Sequence, residues 1–102
     1  MKRLTKQDVI KILKAEQPYL KKEFGVKRMA IFGSFAKGKP TPKSDVDILI
    51  ECVKPLGWDL FRLNDYLEKK LGRKVDLLTP SVIKSMRVKR VVDDIKRSLL
   101  NV

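Results

Sequence analysis

Apolar residues first recur at helical spacing between residues 5 and 25, which predicts an N-terminal helix. Thr5 followed by Asp8 has the spacing of a capping box. The apolar positions after it are Val9, Ile10, Leu13 and Leu20. Pro18 lacks the amide hydrogen that a helix interior needs, so we expect it to kink or restart this helix. Gly25 is expected to end it, because glycine accepts the left-handed conformation of a helix C-cap.

Three short stretches are predicted to be β-strands. The first is the apolar run MAIFG, which ends at Gly33, and the third is KVDLLTP, which carries Asp76 and ends at Pro80. Between them, DVDILIEC alternates with the period of two that is typical of a strand. This alternation puts Val46, Ile48 and Ile50 on one face and Asp45, Asp47 and Leu49 on the other. Two carboxylates therefore point the same way.

A second amphipathic helix is predicted in WDLFRLNDYLEKKLG, after the breakers Pro55 and Gly57 and before Gly72. Its apolar stripe comprises Leu60, Leu63 or Asn64, Leu67 and Leu71. A last helix is predicted from the apolar positions Val88, Val91, Val92, Ile95 and Leu99. The segment KGKPTPKS is predicted to be a basic loop between the first two strands. This order of elements predicts an α+β fold, an α/β sandwich in which helices flank a small mixed β-sheet.

The composition narrows the class of protein. The 102 residues are expected to form one domain, spanning 1–102. The 24 Lys and Arg against 12 Asp and Glu give a formal net charge of +12, which predicts attraction to polyanions or to an acidic protein. The absence of histidine excludes Ser-His-Asp and Cys-His nucleophile pairs, histidine bases and His-ligated zinc.

The remaining composition concerns the compartment. The single cysteine, Cys52, excludes an internal disulfide and is interpreted as a small buried apolar residue. No apolar run approaches the length of a membrane span, and the opening residues do not resemble a signal peptide. We therefore expect a cytoplasmic protein without membrane contacts.

The pattern that carries chemistry is Gly33-Ser34 followed, after ten residues, by Asp45-Val46-Asp47. At the end of a strand, Gly33 would let backbone amides approach a phosphate, and Ser34 would add a hydroxyl and open a short helix. Asp45 and Asp47, two apart on a strand, project from one face at a separation suited to bridging divalent cations. Ligation by oxygen alone fits Mg²⁺.

A third carboxylate, Asp76, lies among apolar residues in the last predicted strand, where burial of its charge would be costly without a cation or partner. If the two strands are neighbours, three carboxylates converge, which suffices for two Mg²⁺ ions and for phosphoryl or nucleotidyl transfer without histidine. Taken singly, the features have weaker interpretations: Asp45 can simply cap a turn after Ser44, and an Asp-x-Asp pair alone is common. The joint order of the motifs favours the catalytic interpretation.

The segment GSFAKGKPTPKSDVDILIE resembles the G-S-x10-D-x-D signature of the polymerase-β-type nucleotidyltransferase superfamily, and the whole layout is similar to its minimal nucleotidyltransferase (MNT) branch. The resemblance implies that Gly33 and Ser34 bind the triphosphate of ATP. It implies that two Mg²⁺ ions are bound by Asp45, Asp47 and Asp76. The basic loop adds further candidate nucleotide-binding residues, namely Lys37, Lys43 and Ser44. Lys37 stands where the family commonly has arginine, so the charge is kept and the planar fork is lost.

Stand-alone members of that branch are typically antitoxins, so the resemblance implies a partner as well as a reaction. It implies transfer of AMP from ATP to a tyrosine of a HEPN-domain ribonuclease toxin, which inactivates the toxin. One alternative is a basic nucleic-acid-binding module, supported by the charge of +12 and opposed by an aromatic content of only 7%. Another is a catalytically idle antitoxin that acts by binding alone, which the three intact aspartates oppose. We also expect the last helix to recruit an acidic partner, or RNA carried by it, through Arg87, Lys89, Arg90, Lys96 and Arg97.

Overall fold

The computed structural model describes residues 4–38, 45–81, 93, 95 and 99–102. The helices are α1 (Lys6–Phe24), α2 (Gly33–Ala36) and α3 (Asp59–Leu71). The strands are β1 (Val26–Phe32), β2 (Val46–Cys52), β3 (Val75–Leu78) and β4 (Leu100–Asn101). They form one sheet in the order β3-β2-β1-β4, in which β1 runs antiparallel to β2 and β4 while β2 and β3 are parallel. The mixed sheet with flanking helices confirms the predicted α+β class.

The long helix α1 begins at the predicted capping box. The Thr5 hydroxyl accepts from the Asp8 amide at 3.1 Å, and the Asp8 carboxylate accepts from the Thr5 amide at 3.0 Å. Gly25 ends the helix with φ +66°, as expected. The expected restart at Pro18 is wrong, because α1 is helical on both sides of it without interruption. Pro18 is exposed, so the carbonyl that loses its amide partner can be hydrated while packing holds the helix together.

The hydrophobic core lies between the sheet and the helices α1 and α3. Alternation along β2 is as predicted: Val46, Ile48 and Ile50 are fully buried, and the other face is half-buried. The predicted stripe of α3 also packs inward through Leu63, Leu67 and Leu71, while Leu60 is half-buried. Tyr66 joins the two helices, since its hydroxyl donates to the Glu16 carboxylate at 2.6 Å. This hydrogen bond is the main reason that the pKa of Tyr66 is raised to about 12, and burial is the second reason.

The structure differs from the prediction in the first strand, the last strand and the last helix. β1 begins at Val26, earlier than the run MAIFG indicated, and contains a bulge where the register with β2 shifts between Val26 and Arg28. β4 was not predicted, because two residues are too few to show a period. Leu99, expected in the last helix, precedes β4 and is not helical. Of that helix, Asp93 and Ile95 are helical, while Val88, Val91 and Val92 lie outside the described residues.

Two further expectations concern Cys52 and membranes. Cys52 is a free thiol that is half-buried, and burial raises its pKa. Within the described parts of the chain, no helix has the length and apolar character needed to cross a bilayer.

Candidate active site

The end of β1 is brought directly against the beginning of β2. Phe32 pairs with Asp47 in the antiparallel register, so the next residue, Gly33, turns beside the Asp47 side chain. Gly33 has φ +73°, and a Cβ placed on it would overlap Asp47 Oδ2 and lie 3.1 Å from Asp47 Cγ. Glycine is therefore needed here both for the backbone conformation and for the close approach of the carboxylate.

The Gly-Ser turn continues into the short helix α2, as predicted from Ser34. The Phe35 side chain is fully buried and anchors this helix in the core. The Lys37 amide donates to the Gly33 carbonyl at 3.1 Å, and the Gly38 amide donates to the Phe35 carbonyl at 3.1 Å. Gly33 and Ser34 remain half-buried and thus reachable from solvent. A rigid turn with accessible backbone at the end of a strand is suited to contact a phosphate.

The parallel pairing of β2 and β3 places two carboxylates side by side. Asp47 and Asp76 are register partners, so their side chains lie on the same face of strands about 4.8 Å apart. Asp45 precedes β2 by one residue and contributes to the same electrostatic field. Burial raises the pKa of Asp47 to about 6, with further increases from the charges of Asp76 and then Asp45. The charges of Asp76 and Asp45 oppose ionisation of Asp47, and a bound cation would relieve this repulsion.

One expectation about the third carboxylate is wrong. Asp76 is exposed, although apolar residues surround it in sequence. Its strand is at the edge of the sheet, and its side chain is on the face opposite Val75, which packs into the core. Of the two register partners, Asp47 is half-buried and Asp76 is exposed.

The described residues contain no group of three carboxylate or thiol side chains already arranged to hold a metal ion. Mg²⁺ is commonly bound through one or two carboxylates, with water and substrate phosphates completing its oxygen ligands. The oxygen-only donors at this site and the mutual repulsion around Asp47 fit such an ion. The residues that would hold it are Asp45, Asp47 and Asp76.

The basic candidates are only partly described. Lys37 is exposed at the C-terminal end of α2, whereas Lys43 and Ser44 lie outside the described residues. Sequence reasoning missed Arg73, whose guanidinium carbon is 5.3 Å from the ring centroid of Phe35. The Val46 amide donates to the Lys74 carbonyl at 2.9 Å, which fixes this segment beside the beginning of β2. The Arg-Lys pair at the start of the third predicted strand was the signal available for this residue.

Comparison with known proteins identifies the family and supports the fold. The family model for the nucleotidyltransferase domain matches residues 8–100. The protein adenylyltransferase MntA of Thermococcus cleftensis is 36% identical over 96 residues, which cover 93% of this chain and 97% of that protein. The solved structure of a candidate minimal nucleotidyltransferase has a TM-score of 0.76 at 22% identity, with complete coverage of both chains.

A more distant structure has the same fold in a complex. It contains the tri-AMPylated HEPN toxin of Shewanella oneidensis with an MNT antitoxin; the TM-score is 0.55 at 18% identity, covering 94% of this chain and 66% of that chain. Family membership does not depend on this weaker likeness, since the family model spans nearly all of the chain. The chain belongs to the nucleotidyltransferase domain family.

Proposed function

We propose that this protein is a Mg²⁺-dependent adenylyltransferase that transfers AMP from ATP to a tyrosine of a HEPN-domain toxin and so acts as its antitoxin. The observation that carries the proposal is the close approach of the Gly33 backbone to the Asp47 carboxylate, which leaves no room for a Cβ. Asp47 is also the register partner of Asp76. A phosphate-binding turn and a repelling pair of carboxylates thus share one site. The name of the Thermococcus relative and the AMPylated toxin in the Shewanella complex support the choice of AMP and of the partner.

The chain's own residues would divide the work as follows. The backbone of Gly33 and the hydroxyl of Ser34 would bind and orient the triphosphate. The chemistry that Mg²⁺ supplies when bound by the aspartates is neutralisation of charge on the triphosphate and on the departing pyrophosphate. Asp76 is exposed, so an acceptor hydroxyl can approach it from solvent and transfer its proton to a carboxylate oxygen. The tyrosine oxygen would bond to the α-phosphorus as the bond to pyrophosphate breaks.

We further propose that residues 1–102 form a single catalytic domain. One cluster of buried side chains supports this, since it joins the three helices to β1, β2 and β3. The site lies at the edge of this core, which supports its residues. The surface around the site would then recognise the acceptor.

The test is incubation of the purified protein with ATP, Mg²⁺ and the cognate HEPN-domain protein, followed by intact mass measurement. We expect the HEPN protein to gain the mass of whole adenylyl groups, with the modification mapped to tyrosine. Asp47→Asn should abolish the gain, whereas Asp65→Asn, on the exposed side of α3, should leave it unchanged. Neutralisation of the toxin without any mass gain would support the idle antitoxin instead. Binding of RNA with neither gain nor neutralisation would support the nucleic-acid module.

A further inference from the structure

A basic groove of about 450 Å³ lies between α1 and the beginning of β1, away from the Gly33 turn. Four of its lining residues are cationic, and all four are exposed: Lys14, Lys21, Lys27 and Arg28. Its apolar lining consists of Pro18, Val26 and Met29, of which the last two belong to the core. The groove therefore combines exposed positive charges with apolar side chains.

Local structure explains why the charges gather there. Lys14 and Lys21 are two helical turns apart on α1 and so share one face. The bulge in β1 sets Lys27 and Arg28 together opposite Glu51, and both are exposed in succession where a regular strand would alternate. Arg28 is paired with Glu51 at 3.1 Å. Within the described part of the chain, no carboxylate pairs with the three lysines, so their charge is available to a ligand.

The same groove runs along a strand edge. β4 pairs with β1 only at Ala30 and Ile31, and the Val102 amide adds one hydrogen bond to the Met29 carbonyl at 3.0 Å. The Gln17 side-chain amide, from the groove wall, donates to the Val102 carbonyl at 3.2 Å. Among the residues that the structure describes, no strand pairs with residues 26–28 on this side. An incoming strand can hydrogen-bond to such an edge, which is a common mode of peptide recognition.

The charge decides which strand would bind. A second copy of this chain carries +12 and would be repelled, and lysine at a strand edge is a known obstacle to self-pairing. Nucleic acid would match the charge, but none of the described residues that line the groove is aromatic and able to stack on a base. A carboxylate-bearing extended segment can pair with the lysines and also with residues 26–28, at which no described strand pairs on this side.

We infer that this groove binds an extended acidic segment of a partner protein, which adds to β1 as a strand in line with β4. The identification of that partner with the toxin rests on the proposed function, whereas the groove and its ligand chemistry do not. A partner bound there would be held at a distance from the nucleotide site. The groove would then bind the partner, and the separate nucleotide site would perform the transfer.

The first measurement uses a fluorescein-labelled peptide of alternating glutamate and valine, with binding followed by anisotropy at low salt. We expect saturable binding by the wild-type protein, weakened about tenfold in Lys14→Glu/Lys27→Glu. The matched control, Lys54→Glu/Lys69→Glu, carries the same change in net charge at exposed lysines outside the groove and should lose no more than about twofold. Equal losses in both variants, or no wild-type binding at millimolar peptide, would overturn the inference.

The second measurement separates strand addition from simple charge attraction. A peptide of the same sequence with alternate amides N-methylated keeps its charge but cannot pair with a strand edge, and it should bind at least about tenfold more weakly. Amide resonances of Val26 to Arg28 should shift with the unmethylated peptide. Equal binding of both peptides would refute strand addition, and tighter, groove-dependent binding of a U-rich RNA would reassign the surface to nucleic acid. If the wild-type protein transferred no adenylyl group to the HEPN-domain protein, the proposed function would be refuted. The peptide-binding results would not be affected.

Discussion

Replacement of Asp47 by asparagine should stabilise the metal-free protein at neutral pH while abolishing transfer. Burial and the charges of Asp76 and Asp45 raise the pKa of Asp47 from 3.8 to about 6 in the folded state. The folded protein therefore resists ionisation of this carboxyl more than the unfolded chain does. The resulting penalty on the free energy of unfolding is absent below pH 3.8, grows between 3.8 and about 6, and is complete above that window.

The size of the effect is limited by solvent. Asp47 is only half-buried, so water screens the repulsion. We therefore expect Asp47→Asn to raise the free energy of unfolding by about 1 kcal/mol at pH 7 to 8. Asparagine is close in shape to aspartate and leaves the contact with Gly33 sterically unchanged. Near pH 4 the two proteins should be of almost equal stability, since wild-type Asp47 is then largely protonated.

Urea unfolding of the two proteins, at about pH 4 and about pH 7.5, measures this difference. Asp65→Asn serves as the control, because its carboxylate is exposed on α3. At the higher pH, added Mg²⁺ should stabilise the wild-type protein more than the variant. The difference in free energy of unfolding between the two proteins should then shrink or change sign. A variant that is less stable than wild type at pH 7.5, or a stability difference that does not change with pH, would show that the carboxylates do not repel one another as the geometry indicates.

Three other substitutions test the remainder of the site. Gly33→Ala should destabilise the fold by about 1–2 kcal/mol and abolish ATP binding, because φ is +73° and the added methyl overlaps Asp47; unfolding midpoints and calorimetry would show both losses. Ser34→Ala should weaken ATP binding several-fold, the loss of one hydroxyl contact of about 1 kcal/mol; an unchanged dissociation constant would exclude that contact. Arg73→Gln should weaken ATP more than AMP, with Arg73→Lys intermediate, if its guanidinium reaches the triphosphate; equal loss for both nucleotides would limit Arg73 to packing on Phe35.

Local chemistry made much of the fold predictable. The capping residues Thr5 and Asp8 and the left-handed glycines Gly25 and Gly72 act within one turn of the helix ends, so their effect can be read from neighbouring residues. The prediction of a restart at Pro18 was wrong because residues distant in sequence decide the outcome there. Its local preference is to break a helix, but buried side chains on both sides of it hold α1 in one piece. Tertiary packing outweighs the local preference there.

The site could be predicted as a set of residues but not as an arrangement. Spacing indicated that Asp45 and Asp47 share a face, whereas the pairing of Asp47 with Asp76 depends on the register of two strands far apart in sequence. The approach of Gly33 to Asp47 likewise depends on register, here between β1 and β2. No periodicity in a single segment determines which residues of another strand it will face.

Register also explains why the aspartates are not equivalent. Asp47 is on a central strand between β1 and β3, so it is half-buried and receives the field of both other carboxylates. Asp76 is on the edge strand and is exposed. A bound cation would therefore favour the ionised form of Asp47, while Asp76 is open to whatever approaches from solvent. Sequence reasoning treated the aspartates as one cluster, because exposure follows from strand order and not from the residues next to each aspartate.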